Sequence, residues 1–218
     1  LCRAVAPKAP RFQSKVDGAE TALALVGELR GRAPTSVERI VCGRTNDMFR
    51  VVDGEGVAVL VRVYGGGEDL GIDRALEGAT FEAAGRHLGR PRCLGHFANG
   101  RVEEFLEGHR NTTYEDVNNP MVYREIARAV ATLHTFVPPP ELCGDGGHDL
   151  DAPGLWPTLR GWLAASATDA TATAVARDAD DAKLWSECAC FRDFDAFGAV
   201  IDAAEAQLSR GEDLDASL

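Results

Sequence analysis

Val57-Ala58-Val59-Leu60-Val61-Arg62-Val63-Tyr64-Gly65 is an apolar run interrupted by a single arginine. With a period of two, Ala58, Leu60, Arg62 and Tyr64 share one face, and Val57, Val59, Val61 and Val63 share the other. Both faces predict burial, as in an interior strand. Just upstream, Met48-Phe49-Arg50-Val51-Val52 reads as a second strand. Asp53-Gly54-Glu55-Gly56 supplies the turn between them, so the pair is a hairpin. Arg62 is the one charge inside the apolar run. A buried guanidinium needs an anionic partner or a route to water. Three arrangements satisfy it: a carboxylate on the next helix, where Glu77 stands near the start; a bound phosphate; or a structural pair at the strand end.

Working outward, residues 17–30 predict a helix with Ala22, Leu23, Leu25, Val26 and Leu29 apolar, ended by Gly31 and Pro34. Residues 73–88 predict another, with Leu76, Phe81, Ala84 and Leu88 on one side. A second hairpin is expected from residues 93–97 and 102–106 around an Asn99-Gly100 turn. Beyond Gly108 the texture is helical. Over 121–136, Val122, Ile126, Val130 and Leu133 step by three or four, and Pro138-Pro139-Pro140 ends the run. A Gly/Asp-rich loop covers 141–154 and a short helix 155–165, while 166–182 is poorly defined. A last helix starts near Asp193, with Phe194, Phe197, Ile201, Ala204 and Leu208 on one face and Asp193 as its cap.

The composition excludes several classes. At 45% hydrophobic and 26% charged, the 218 residues are ordinary globular sequence. A net charge of −11 disfavours nucleic acid and anionic membrane surfaces as partners. The longest apolar run, residues 57–61, is far short of the roughly 20 residues of a membrane span. Six scattered cysteines without a C-x-x-C pair read as thiols of a cytoplasmic protein. The five histidines show no metal spacing. Arg3, Lys8, Arg11 and Lys15 precede the first acid, Asp17, which leaves a targeting segment at residues 1–16 as an alternative.

Five blocks together resemble the ethanolamine and choline kinase family. Cys42-Gly43-Arg44-Thr45-Asn46 is similar to its Gly-Gly-Ile-Thr-Asn segment, and Val59 to Gly65 resembles its Val-Leu-Val-Arg-x-Tyr-Gly strand. Ile72-Asp73-Arg74 with Glu77, the run Asn99 to Gly108, and Ile126-Ala127-Arg128 with Leu133-His134 complete the set in the family's order. The resemblance implies an α+β, protein-kinase-like fold with an antiparallel-sheet N-lobe and an incomplete helical C-lobe. It divides the chain into an N-terminal extension with a helix (1–36), an N-lobe with hinge (37–108) and a partial C-lobe (109–218). It places Gly43, Arg44, Thr45, Asn46 and Asp47 along the ATP phosphates. Arg62 steadies those phosphates with Glu77 as its ion-pair partner, and Glu103, Glu104, Phe105 and Leu106 face the adenine. Cys42 and Arg44 depart from the family's Gly and Ile.

The implied reaction is ATP-dependent phosphorylation of ethanolamine, feeding phosphatidylethanolamine synthesis. Val-Arg-Val-Tyr and Glu-Glu-Phe-Leu-Glu-Gly lean toward ethanolamine rather than choline. The family's His-x-Asp-x-x-x-x-Asn catalytic loop and its metal-binding Ile-Asp-Phe-Glu segment have no match. His148-Asp149-Leu150-Asp151 has Leu150 in the Asp place, and Asp193-Phe194-Asp195 opens an apolar-period helix. A truncated, inactive chain is therefore expected, with the Mg²⁺ ligands beyond Leu218. A choline kinase or aminoglycoside-type phosphotransferase is the first alternative. The second is a non-catalytic nucleotide- or partner-binding module, whose uncovered apolar surface would be a homodimer or partner face.

Overall fold

The computed structural model describes residues 8–41, 46–65, 72–150, 152, 154–172 and 193–209. They form two compact units, divided after His148. The first holds helix α1 (Ala19–Arg30), strands β1 (Ser36–Ile40), β2 (Asn46–Val52) and β3 (Ala58–Tyr64), helix α2 (Arg74–Leu88), strands β4 (Cys93–Phe97) and β5 (Gly100–Glu104), and helices α3 (Tyr114–Asn118) and α4 (Pro120–Leu133). The five strands make one antiparallel sheet in the order β1-β2-β3-β5-β4.

The sheet has two unlike faces. Phe49 and Val51 of β2, Val59, Val61 and Val63 of β3, Phe97 and Val102 alternate onto one face. There they close on Val16 and on Ala22, Leu25 and Val26 of α1. Burying each Val or Leu contributes about 1.5–3 kcal/mol, so α1 is part of the sheet's core rather than an appendage. The opposite face is polar and carries Arg62, Arg101 and Glu103 beneath α2. The buried residues of α2 are Gly78, Glu82, Ala83 and Gly85. A side chain at Gly78 would crowd the Tyr64 hydroxyl and the His96 ring, and its absence lets the helix lie close. Asp73 caps α2, its carboxylate accepting from the Ala75 and Leu76 N–H groups at 2.9 Å.

A β-bulge shapes the edge strand. Cys93 pairs with Glu103, yet Gly95 pairs with Val102 and His96 with Arg101. Strand β4 thus advances two residues while β5 advances one, and the extra residue is Leu94. Cys93 and His96, three apart, therefore point to the same α2-facing side. The segment before α1 runs beside β4: Phe12 donates to the His96 carbonyl and His96 to the Pro10 carbonyl, both at 2.8 Å.

Several expectations are corrected. Strand β1 was not foreseen, because Ser-Val-Glu-Arg-Ile alternates weakly at an exposed edge. Strand β3 begins at Ala58, leaving Val57 47% exposed. Its Arg62 face is half-buried rather than buried, because Leu60, Arg62 and Tyr64 all stay partly accessible. The second hairpin turns at Ala98-Asn99, and β5 covers 100–104 rather than 102–106. Strand β5 starts at Gly100, where only glycine fits because a Cβ would strike the Arg62 carbonyl oxygen and the Phe97 ring. The apolar side expected of α2 is not its buried side, since polar groups on the sheet face claim that position.

No residue of α4 is buried; Val122 and Ile126 are half-buried, and Val130 and Leu133 are exposed. His87 Nε2 lies 2.9 Å from Thr135 Oγ1 beyond α4, and His148 Nε2 lies 2.7 Å from Thr80 Oγ1. The second unit pairs α5 (Leu155–Ala172), longer than the expected 155–165, with α6 (Phe194–Ser209). Arg160 donates to Asp202 at 2.7 Å and also to Glu205. Asp193 caps α6 through the Ala196 N–H at 2.9 Å, as expected. Residues 173–182 of the stretch read as poorly defined lie outside the described residues.

Candidate functional site

The polar sheet face carries a chain of alternating charges. Arg62 donates to Glu103 through Nε at 2.5 Å and Nη2 at 3.3 Å. The same Glu103 Oε1 accepts from Arg101 Nε at 2.8 Å. Arg101 Nη1 reaches Glu77 Oε1 at 3.0 Å, and Arg74 Nη1 reaches Glu77 Oε2 at 2.7 Å. Strand register explains the first links. Arg62 stands opposite Arg101 and Leu60 opposite Glu103, so Glu103 is the diagonal neighbour of Arg62 and shares a face with Arg101 two residues away. Helix α2 then lays Glu77 against Arg101 from above.

Tyr64 is the hub. Its hydroxyl accepts from Arg101 Nη1 at 3.2 Å, and its ring lies 5.0 Å from the Arg74 guanidinium. Arg101 also stacks on Phe81, 4.2 Å from the ring centroid. Three guanidinium groups against two carboxylates leave one net positive charge. Glu103 and Arg101 are deeply buried, whereas the side chains of Arg62 and Glu77 are 22% and 32% exposed, so the network reaches solvent at these two residues. Burial alone lifts the Glu77 carboxyl, but hydrogen bonds from Arg74 and Arg101 outweigh it and hold the group below its ordinary value. Burial likewise disfavours the Arg101 cation, and Glu103, with Tyr64 and Glu77, reverses this.

Two buried polar atoms beside Tyr64 have no hydrogen-bond partner: Arg74 Nε and Asn46 Oδ1. Asn46 is the strand partner of Tyr64. Unsatisfied buried groups are rare and call for a ligand or water. One is a donor and one an acceptor.

The sequence-predicted residues fare differently. Gly43, Arg44 and Thr45, like Cys42, lie outside the described residues. Asn46 lies at the network's edge, while Asp47 pairs with Arg39 at the surface. The expected Arg62–Glu77 ion pair does not form: Arg62 takes Glu103, and Glu77 is held by Arg74 and Arg101. The reason is proximity, because Glu103 lies in the adjoining strand of the same sheet. Glu103 turns into the network. Glu104 instead holds Arg90 at 2.8 Å, the Arg50 guanidinium lies 5.0 Å from the centre of the Phe105 ring, and Leu106 is half-buried. Sequence reasoning missed Arg101, Arg74 and Tyr64. Arg101 and Glu103 stand two apart in a strand, which was a usable signal that they share a face.

Mg²⁺ is held by hard oxygen donors such as carboxylates, phosphate and water. Among the described residues, the group of potential ligands lying close together is Glu82, Cys93 and His96. It is largely buried and contains a thiol, so it does not fit Mg²⁺.

With this geometry in hand, the comparisons with known proteins bear on the site. A family model described as choline/ethanolamine kinase matches residues 37–209. The sequence is 34% identical over 131 residues to probable choline kinase 2 of Arabidopsis thaliana, covering 56% of this chain and 33% of that protein. It is 29% identical over 141 residues to ethanolamine kinase 1 of Mus musculus, covering 60% and 39%. The chain thus spans between a third and two-fifths of these relatives. In fold it resembles a Plasmodium vivax ethanolamine kinase, with a TM-score of 0.62 and 24% identity over 81% of this chain and 48% of that one.

Proposed function

We propose that this chain, which belongs to the choline/ethanolamine kinase family, binds the polyphosphate of ATP at the open end of the Arg62–Glu103–Arg101–Glu77–Arg74 chain. The observation that carries the reading is the Arg62 guanidinium, the most exposed of three guanidinium groups that outnumber the two carboxylates they bridge. Arginine presents a planar fork of donors to phosphate oxygens. We read residues 43–47 as lining the phosphates and residues 103–106 as facing the base, as the family resemblance implies. Phosphoryl transfer depends mainly on positioning and electrostatic stabilisation, and the buried network supports both by fixing the Arg62 strand against α2. When bound, Mg²⁺ would supply charge neutralisation between phosphate oxygens. The proposed domain boundaries remain 1–36, 37–108 and 109–218.

The acceptor is a small amino alcohol. The motif wording around Arg62 and Glu103 favours ethanolamine, while choline is favoured by relatives named choline kinase. Since neither family catalytic motif occurs in this sequence, the chain itself is read as binding nucleotide with little turnover.

Isothermal titration of the 218-residue chain with ATP and with inorganic triphosphate tests the site. Both should bind, and Arg62→Ala should weaken both by about 10–100-fold, the contribution of a charge-assisted hydrogen bond. Absence of binding by the wild-type chain, or equal binding by the variant, overturns the reading. Melting shifts with ethanolamine or choline in the presence of ATP discriminate the acceptor.

A further inference from the structure

We infer that Glu82, Cys93 and His96 form a binding site for one soft divalent cation of the zinc type, pinning α2 to the edge of the sheet. The three residues offer a carboxylate oxygen, a thiol sulfur and an imidazole nitrogen within 4.8 Å of one another. Cys93 Sγ is 3.4 Å from His96 Nε2, and that nitrogen is 2.9 Å from Glu82 Oε2. These separations approach the edges of a tetrahedron whose ligands lie about 2.0–2.3 Å from a central zinc.

The bulge at Leu94 provides the independent observation. In a regular strand, residues three apart face opposite ways. The extra residue turns Cys93 onto the side of His96, so an irregular backbone brings a thiol and an imidazole together. Bulges commonly re-aim side chains in this way. The Glu82 carboxylate is divided to match. Oε1 accepts from the Ala9 N–H at 2.9 Å and from Arg86 at 2.6 Å, leaving Oε2 toward His96 and Cys93. Its orientation is thus fixed by groups other than the proposed ligands, as an outer shell fixes a metal ligand.

Charge and chemistry agree. Glu82 and His96 are buried and Cys93 is half-buried. Binding forms bonds from the metal to sulfur, nitrogen and oxygen and releases the thiol proton, with no change of oxidation state. A dication with one thiolate, one carboxylate and a neutral imidazole leaves the site uncharged, which suits burial. The fourth position belongs to water. Opposing this, Arg101 and Arg86 place positive charge nearby, but Arg86 engages the far oxygen and Arg101 is neutralised by Glu103 and Glu77. The role is structural: α2 carries Glu77, so the clasp holds the helix that orders the charge chain.

Cobalt(II) titration of the metal-free chain is the test. One equivalent should produce a near-ultraviolet thiolate-to-cobalt charge-transfer band. Cys93→Ser should abolish that band and Cys143→Ser should retain it, while Glu82→Gln should lower zinc affinity about tenfold or more. No band in the wild-type chain, or a band that survives Cys93→Ser, overturns the inference. Because Cys93→Ser can fail to fold, the wild-type chain provides a second readout. One equivalent of zinc should slow alkylation of Cys93, located by peptide mapping, at least about tenfold. An unchanged rate overturns the inference equally.

Discussion

Glu103→Gln should tighten the binding of inorganic triphosphate, although it removes a residue from the candidate site. Glu103 occupies the Arg62 fork through Nε at 2.5 Å and Nη2 at 3.3 Å, donors that the proposed phosphate would use. The carboxylate also repels an incoming anion. At an effective dielectric constant of about 20, a unit charge about 6 Å from a phosphate contributes roughly 2.8 kcal/mol. Solvent and salt at the open end reduce this by about half, leaving about 1.4 kcal/mol, or roughly a tenfold gain in affinity. Stability should move the other way. Arg101 and Arg62 lose their shared carboxylate, and breaking a buried pair costs about 3–5 kcal/mol. The assay is calorimetric titration at low and moderate salt, alongside urea denaturation of the same preparations. A folded variant that binds triphosphate equally or more weakly overturns this prediction, because removing the negative charge would then have brought no gain.

Two further outcomes follow from the fold. Stability should fall below about pH 4, because Asp53, Glu77 and Glu82 all titrate below their ordinary values when folded. For Asp53 the leading cause is the hydrogen bond from the Val57 N–H. A depressed folded pKa contributes stability that is present above the unfolded value of about 4 and is lost as pH falls through the folded one. Urea midpoints measured from pH 6 to 3 check this, and Asp53→Asn should flatten the curve. Leu25→Ala in α1 should cost about 2–5 kcal/mol, because Leu25 is buried in the core that backs the Arg62 strand. Denaturation with and without ATP would show both the lost stability and the retained coupling of α1 to the site.

The local periods were legible because they depend on the chain alone. Alternation from 57 to 64 marks β3 and puts Arg62 opposite the valines that form the core. Gly31 ends α1 in a left-handed conformation, φ 66°, which glycine adopts without a Cβ penalty. Asp73 and Asp193 stand where helix caps belong. The five family-like blocks could also be read without coordinates, because motif order along the chain is a property of sequence.

Which side chains meet is set by packing. The residues alone leave three arrangements open for Arg62, and the family resemblance implies Glu77 as its partner. The cross-strand register instead delivers Glu103, and Arg101 stands between Arg62 and Glu77 as a bridge. Register depends on how strands separated by 36 or more residues align, and no local pattern contains that information. The bulge at Leu94 is the same lesson at shorter range: Cys93 and His96 face apart by counting and together in space, because an unpaired residue costs the strand half a period. Charge pairing across the sheet is thus set by packing, while the apolar rhythm that makes the sheet is written in the residues themselves.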